Sequence, residues 1–458
     1  MTFIFYLSLN KKEIVLKKTL LFAVLIPVWV FGQHTIKGNI SPNIGYKNAI
    51  LYKILPTKLN YITHAAIDEK GSFNIALDST VSSGMYKLVY AIPEEEYSFD
   101  IIYNAKEDIE FTYNSETGIT YQKSIENKLI AAYTSSMSLV GQEIGKHFAE
   151  ESTDSLALLS IFSKQKIVQS QFEDDAKETI ALHFIKANKP YMPDDYEDYN
   201  TYVKNLQKHF FDSVDFNDKV LQSSNFLIER TLNYVFGIMS EDKDETANYI
   251  TNIDEVHRVL KDTKPIIKSR ILEVLWQQMA DAGYDDVANH VADKYLIKIA
   301  KQLDNTELLN KMALFKSLSI GNKAPDFTLR VKENNEFVSK QISELNIADK
   351  YIVLFWSSTC DHCLDEIPQL QSYIKKLLKG TIKVIAIGLE DSAENWKKEA
   401  IKYPEFIHVL GLNKWKNKIA TSYNVMATPT YFVLDKDKKI IAKPYDFEIL
   451  EEYLSAGL

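Results

Sequence analysis

Across residues 146–320 the chain carries only two of its 15 glycines, Gly237 and Gly283, and three of its 12 prolines, Pro190, Pro193 and Pro265. So long a stretch with so little turn chemistry cannot be cut into short strands, and its wealth of Leu, Lys, Glu, Gln and Ala favours helix. Ile267, Ile271, Val274 and Leu275 fall at i, i+4, i+7 and i+8 and so share one helix face, which Gly283 is placed to end. Val287, Val291 and Tyr295 begin another such face. The acidic run 194–199 reads as a solvated loop rather than a metal site. Residues 123–318 are therefore expected to form a helical domain.

The flanks follow other patterns. Over 34–122, short alternating or apolar stretches at 50–55, 72–77, 86–92 and 109–113 are separated by Gly38, Gly45, Gly71, Gly84 and Gly118. That spacing predicts a small β-sandwich or barrel, with Asp68-Glu69-Lys70-Gly71 as a hairpin connection. Over 319–458, apolar runs at 351–356, 382–389 and 430–434 alternate with helical stretches, as buried strands of an α/β sheet do. The expected molecule is multidomain: all-β, then α-helical, then α/β.

Residues 1–33 read as an export signal. Four lysines over 11–18 precede the twelve-residue apolar run 20–31, which is short for a permanent membrane span, and then come Gly32 and Gln33. The apolar opening MTFIFYLSLN is unlike the start of such a segment, so translation is also open to beginning downstream of Met1. The mature protein is expected in the periplasm or cell envelope. Lysines and arginines number 53 against 62 acids, a formal charge of −9, which argues against a nucleic-acid partner.

Only two cysteines exist, which excludes a disulfide-stapled scaffold and a four-cysteine zinc site. They stand three residues apart, as Cys360-Asp361-His362-Cys363, between the apolar run 351–356 and a helical stretch running toward Leu378. At a helix start, unpaired N–H groups and the helix dipole favour a thiolate, which makes Cys360 the candidate nucleophile and Cys363 the resolving thiol. A c-type haem would need His at 364, where Leu stands. Zinc would need two further ligands, and His362 is badly placed to share a tetrahedron with both sulfurs. An inert buried pair sits poorly with Asp361 and His362 between the cysteines.

These residues carry a resemblance. Gly321 to Phe327, Phe355-Trp356, the cysteine motif, Glu366, Pro368, Tyr423-Asn424-Val425 and the stretch Thr428-Pro429-Thr430-Tyr431-Phe432-Val433-Leu434-Asp435 recur in an order and spacing that resemble the thioredoxin-fold thiol:disulfide oxidoreductases of the TlpA/ResA type. The resemblance covers the last 140 or so residues. It implies a cis Pro429 beside the cysteines, with Thr428, Pro429 and Trp356 receiving substrate. It implies that Glu366 tunes the cysteines and handles protons. His362 favours the thiolate and Asp361 opposes it. Thr359, Ala427 and Lys438 depart from the family pattern, which commonly has Trp, Gly and Gly at these places.

The resemblance further implies no cofactor beyond the Cys360–Cys363 disulfide and no metal. Protein thiols and disulfides of the envelope would be the partners, with a membrane thiol donor returning electrons. Reduction is the expected direction. The rival reading is an envelope scaffold in which the cysteine module is secondary. A peroxidase is disfavoured because Pro-x-x-x-Thr-x-x-Cys does not occur around Cys360.

Overall fold

The computed structural model describes residues 34–94, 96–333 and 336–456. The export segment expected at 1–33 lies outside the described residues. The first unit holds strands β1 (His34–Ser41), β2 (Asn48–Leu55), β3 (Lys58–Ala66), β4 (Ser72–Leu77), β5 (Gly84–Val89), β6 (Ser98–Tyr103), β7 (Ile109–Asn114) and β8 (Gly118–Lys123). They make two four-stranded sheets, ordered β4-β1-β7-β8 and β3-β2-β5-β6. Alternation decides which face turns in: β4 buries Phe73, Ile75 and Leu77 and exposes Asn74 and Ala76. Those side chains meet Leu51, Leu88 and Ile101 of the other sheet in one core, which makes the unit a sandwich.

The segment 68–71 is a correction to the expected hairpin. Strands β3 and β4 belong to different sheets, so the turn between them is a corner. Asp68 Oδ1 accepts from the Lys70 and Ser72 N–H groups at 2.9 and 2.8 Å. Gly71 turns the chain at φ +82°, where a Cβ would collide with the Ile40 carbonyl oxygen. The sequence pattern marks a turn but is blind to which sheet the next strand joins.

The second unit comprises α1 (Ile125–Ala149), α2 (Ser155–Asp175), α3 (Ala181–Ala187), α4 (Tyr199–Lys208), α5 (Lys219–Gln222), α6 (Phe226–Gly237), α7 (Glu245–Val259), α8 (Pro265–Asp281), α9 (Asp285–Val291), a π turn at Ala292–Leu296, α10 (Ile297–Gln302) and α11 (Thr306–Ser317). Helix α8 begins with Pro265 in its first turn and stops before Gly283, whose φ is +80°. Its Ile267, Ile271 and Leu275 are buried, as are Val287, Val291 and Tyr295. Ile54, Met85 and Ile102 of the sandwich enter this helical core. The buried Asn127 amide joins the two units, accepting from the Ile102 N–H at 2.9 Å and donating to the Ile102 carbonyl at 2.8 Å. Among the described residues no helix is long and apolar enough to cross a membrane.

The third unit opens with a hairpin of β9 (Thr328–Glu333) and β10 (Glu336–Gln341). Its five-stranded sheet runs β13-β12-β11-β14-β15, from β11 (Lys350–Trp356), β12 (Ile382–Glu390), β13 (Ile407–Leu412), β14 (Thr430–Asp435) and β15 (Ile440–Ala442). Helices α12 (Asp361–Lys376), α13 (Ala393–Ala400), α14 (Lys418–Ser422) and α15 (Phe447–Ala456) complete it. The unbroken apolar run of β11 is explained by burial on both faces. Tyr351, Val353 and Phe355 pack into one core, while Ile352, Leu354 and Trp356 pack into the other with Ile367 of α12 and Leu450 of α15. The entry residues belong to this unit: Gly321 donates to the Ile440 carbonyl at 2.8 Å and Ala324 to that of Lys438 at 2.9 Å. Lys438 adopts φ 63° where glycine would be unstrained, and its ammonium donates to the Leu345 carbonyl at 2.7 Å beneath the Tyr351 ring. Lys443 of this unit donates to Asp285 of the helical unit at 2.6 Å.

Candidate active site

Strand β11, the middle strand of the sheet, delivers the chain past its C-terminal end, where Ser357 and Ser358 remain buried before the backbone turns into α12. The Ser358 N–H donates to Oε1 of Glu390, a buried carboxylate at the end of β12, at 2.6 Å. Cys360 is the N-cap of α12, in extended backbone, with Sγ accepting the Cys363 N–H at 3.3 Å. That N–H is one of the first-turn donors without a helical partner, so the sulfur occupies the position where an anion is best supported. Cys360 is half-buried and Cys363 fully buried; their Cα atoms lie 5.3 Å apart and a disulfide joins them. Of the two sulfurs, Cys360 is the one an incoming molecule can reach.

The loop before β14 closes over the pair. The Thr428–Pro429 peptide bond is cis, and the Thr428 carbonyl oxygen lies 3.3 Å from Cys360 Sγ. A protonated Cys360 can donate to that carbonyl, whereas a thiolate draws instead on the Cys363 N–H and the helix terminus. Thr428 and Pro429 are half-buried at the rim. Cys360, Cys363, Thr428 and Pro429, 68 residues apart in sequence at the Cys360–Thr428 contact, therefore form one constellation.

The other candidate residues are placed differently. His362 and Asp361 are exposed on the first turn of α12. Glu366 is half-buried, and its Oε2 accepts from the Tyr431 hydroxyl at 2.8 Å and from the Phe447 N–H at 2.9 Å. Burial first, and then the nearby Glu366 charge, raise the Tyr431 phenol far above its ordinary range, so it remains a donor. Glu366 thus ties α12 to β14 and to the start of α15. Trp356 is a correction: its side chain is 0% exposed, packed beneath α12 and against Tyr403, and cannot receive substrate. A residue at the end of a strand buried on both faces points into the core, whichever face it takes.

The contacts of two residues of the site went unread in the sequence. Glu390 had a signal, as the first of the two acids, Glu390-Asp391, that close the apolar run 382–389. Tyr431 stood in the stretch 428–435, but nothing local marked its hydroxyl as the partner of Glu366, 65 positions away.

Residues 320–443 match the AhpC/TSA family. The C-terminal domain is thioredoxin-like. Among curated proteins, the thiol-disulfide oxidoreductase ResA of Bacillus thuringiensis subsp. konkukian is 28% identical over 145 residues, 30% of this chain and 78% of ResA. Sporulation thiol-disulfide oxidoreductase A of Bacillus subtilis is 28% identical over 103 residues, 22% of this chain and 62% of that protein. A solved thiol-disulfide oxidoreductase from Bacteroides fragilis is 25% identical, covering 30% of this chain and 100% of that one at a TM-score of 0.26. All three likenesses reach less than a third of the chain and leave the sandwich and most of the helical unit outside them.

Proposed function

We propose that the chain is an exported thiol:disulfide oxidoreductase working in the periplasm or cell envelope, with reduction of protein disulfides as its direction. The observation that carries the reading is the asymmetry of the pair: Cys360 caps α12 at the rim beside Thr428 and Pro429, while Cys363 is fully buried one turn on. Reduced Cys360 attacks one sulfur of a substrate disulfide and expels the other as a thiolate. Cys363 then attacks the Cys360 sulfur, the second substrate sulfur leaves, and the domain ends with the Cys360–Cys363 disulfide. Two electrons have passed to the substrate, so a thiol donor at the membrane must restore the dithiol.

Within this scheme the backbone of Thr428, held beside the sulfur, pairs with an extended stretch of the substrate. Glu366 manages the proton of the resolving thiol from a position fixed by Tyr431 and Phe447. His362 lies exposed next to the nucleophile and biases it toward the thiolate. Envelope protein thiols and disulfides are the partners. Export is supported by the basic stretch and apolar run before residue 33.

The test is a trap. With Cys363 replaced by Ser, substrates should accumulate as mixed disulfides on Cys360, visible on non-reducing gels of the native envelope fraction. Absence of any disulfide-linked species, with partner binding unaltered, would favour the scaffold reading instead. Intact mass of the protein from that fraction should show a chain beginning near Gln33, and a full-length cytoplasmic chain would end the export reading.

A further inference from the structure

Helix α1 contains two glycines, Gly141 and Gly145, well inside its span of Ile125–Ala149. Glycine inside a helix is destabilising relative to alanine, so its presence calls for a reason. Neither usual reason holds: neither residue has a positive φ, and a Cβ built at either meets nothing within 4 Å. What their bareness leaves is space. With Ala149 one turn further on, they floor a cavity of about 880 Å³, walled by Tyr199, Tyr202 and Val203 of α4. That volume lies in the range of small-molecule sites. Among the described residues, none lining it carries a charged side chain and none belongs to the thioredoxin-like domain.

A second, independent observation comes from α2. Gln165 lines the same cavity, is 4% exposed, and its Oε1 has no hydrogen-bond partner among the described residues. A buried acceptor left unpaired is costly, and one facing an apolar cavity is satisfied when an occupant brings a donor. We propose that this cavity binds a neutral, largely apolar small molecule that presents one hydrogen-bond donor to Gln165. A charged occupant would lose its hydration with no counter-charge to meet it. A helix from a second copy would fit a glycine stripe, but its interior N–H groups are already bonded and leave nothing for Gln165.

N-phenyl-1-naphthylamine is a suitable probe, being neutral, apolar and equipped with one N–H, and its fluorescence rises in apolar surroundings. The full mature chain should bind it saturably at one site. Gly145→Leu should fill the floor and weaken binding by about tenfold or more, with melting temperature and insulin reduction unchanged. Gln165→Leu should weaken the same probe by about tenfold while leaving 1-phenylnaphthalene, which lacks the N–H, bound as before. The proposal is overturned if the wild-type chain does not bind, or if Gly145→Leu binds as the wild type does. It is also overturned if Gly145→Leu turns a dimer into a monomer, which would give the face to a second copy. Equal loss of both probes in Gln165→Leu would refute the hydrogen bond. Should Gly145→Leu fail to fold, Gly141→Val applies the same test one turn earlier.

Discussion

The Cys360 site and the cavity over Gly141 and Gly145 are both built along a long helix, but one depends on atoms that must be present and the other on atoms that must be missing. Thiol chemistry requires two sulfurs at fixed spacing, an unpaired N–H and a nearby carbonyl, so its residues announce themselves. The cavity requires only that α1 carry no side chain where α4 stands off. A motif can be read in a sequence, whereas a gap becomes visible only when the helices around it are in place.

The sharpest separation of the two sites is Cys360→Ser. Insulin reduction should fall to background because the first attack is lost, while naphthylamine binding stays as in the wild type. Loss of both would show that the sites are coupled rather than merely co-resident. Next in size is a fragment beginning at Leu318. It keeps the pairing of Gly321 with β15 and of Ala324 with Lys438, and both faces of the sheet core, so it should fold and reduce insulin but bind no probe. Circular dichroism of an unfolded fragment would mean that the boundary cuts through a domain.

Trp356→Ala distinguishes burial from substrate contact. Removing a fully buried indole should cost about 3–5 kcal/mol in denaturant unfolding, with KM for a disulfide substrate little changed in the folded fraction. Unaltered stability with a raised KM would return Trp356 to the substrate surface. The smallest expected effect is at His408. Its pKa is lowered from the ordinary 6.5 chiefly by burial, with the Lys383 charge adding to it and a hydrogen bond to the Tyr403 carbonyl opposing it. Above 6.5 both folded and unfolded chains hold it neutral. As pH falls below 6.5 the unfolded chain takes up the proton first, so stability declines until the lower folded pKa is reached. His408→Gln should flatten that part of the melting-temperature profile, and an unchanged slope would assign it to the carboxylates.

Legibility differed within each domain for the same physical reason. The cysteines and the strands β11, β12 and β14 were plain because a strand buried on both faces is a continuous apolar run. Strand β13 was missed, since it is a half-buried edge whose HVL core is too short to stand out. The end of α8 was read from Gly283, while its start at Pro265 was not. The corner at 68–71 was read as a hairpin because turn chemistry is local while sheet membership is not. Glu366 was singled out by the family resemblance, yet its hold on Tyr431 and Phe447 depends on contacts 65 and 81 residues away.

The asymmetry of the cysteine pair is tested most directly by alkylation rate against pH in the two single mutants. In Cys363→Ser, Cys360 should react fast and from the lower pH, as expected of a thiolate supported at a helix terminus. In Cys360→Ser, the fully buried Cys363 should react slowly, and only as pH rises further. If Cys363 proves the faster thiol with the lower pKa, the nucleophile has been assigned to the wrong residue.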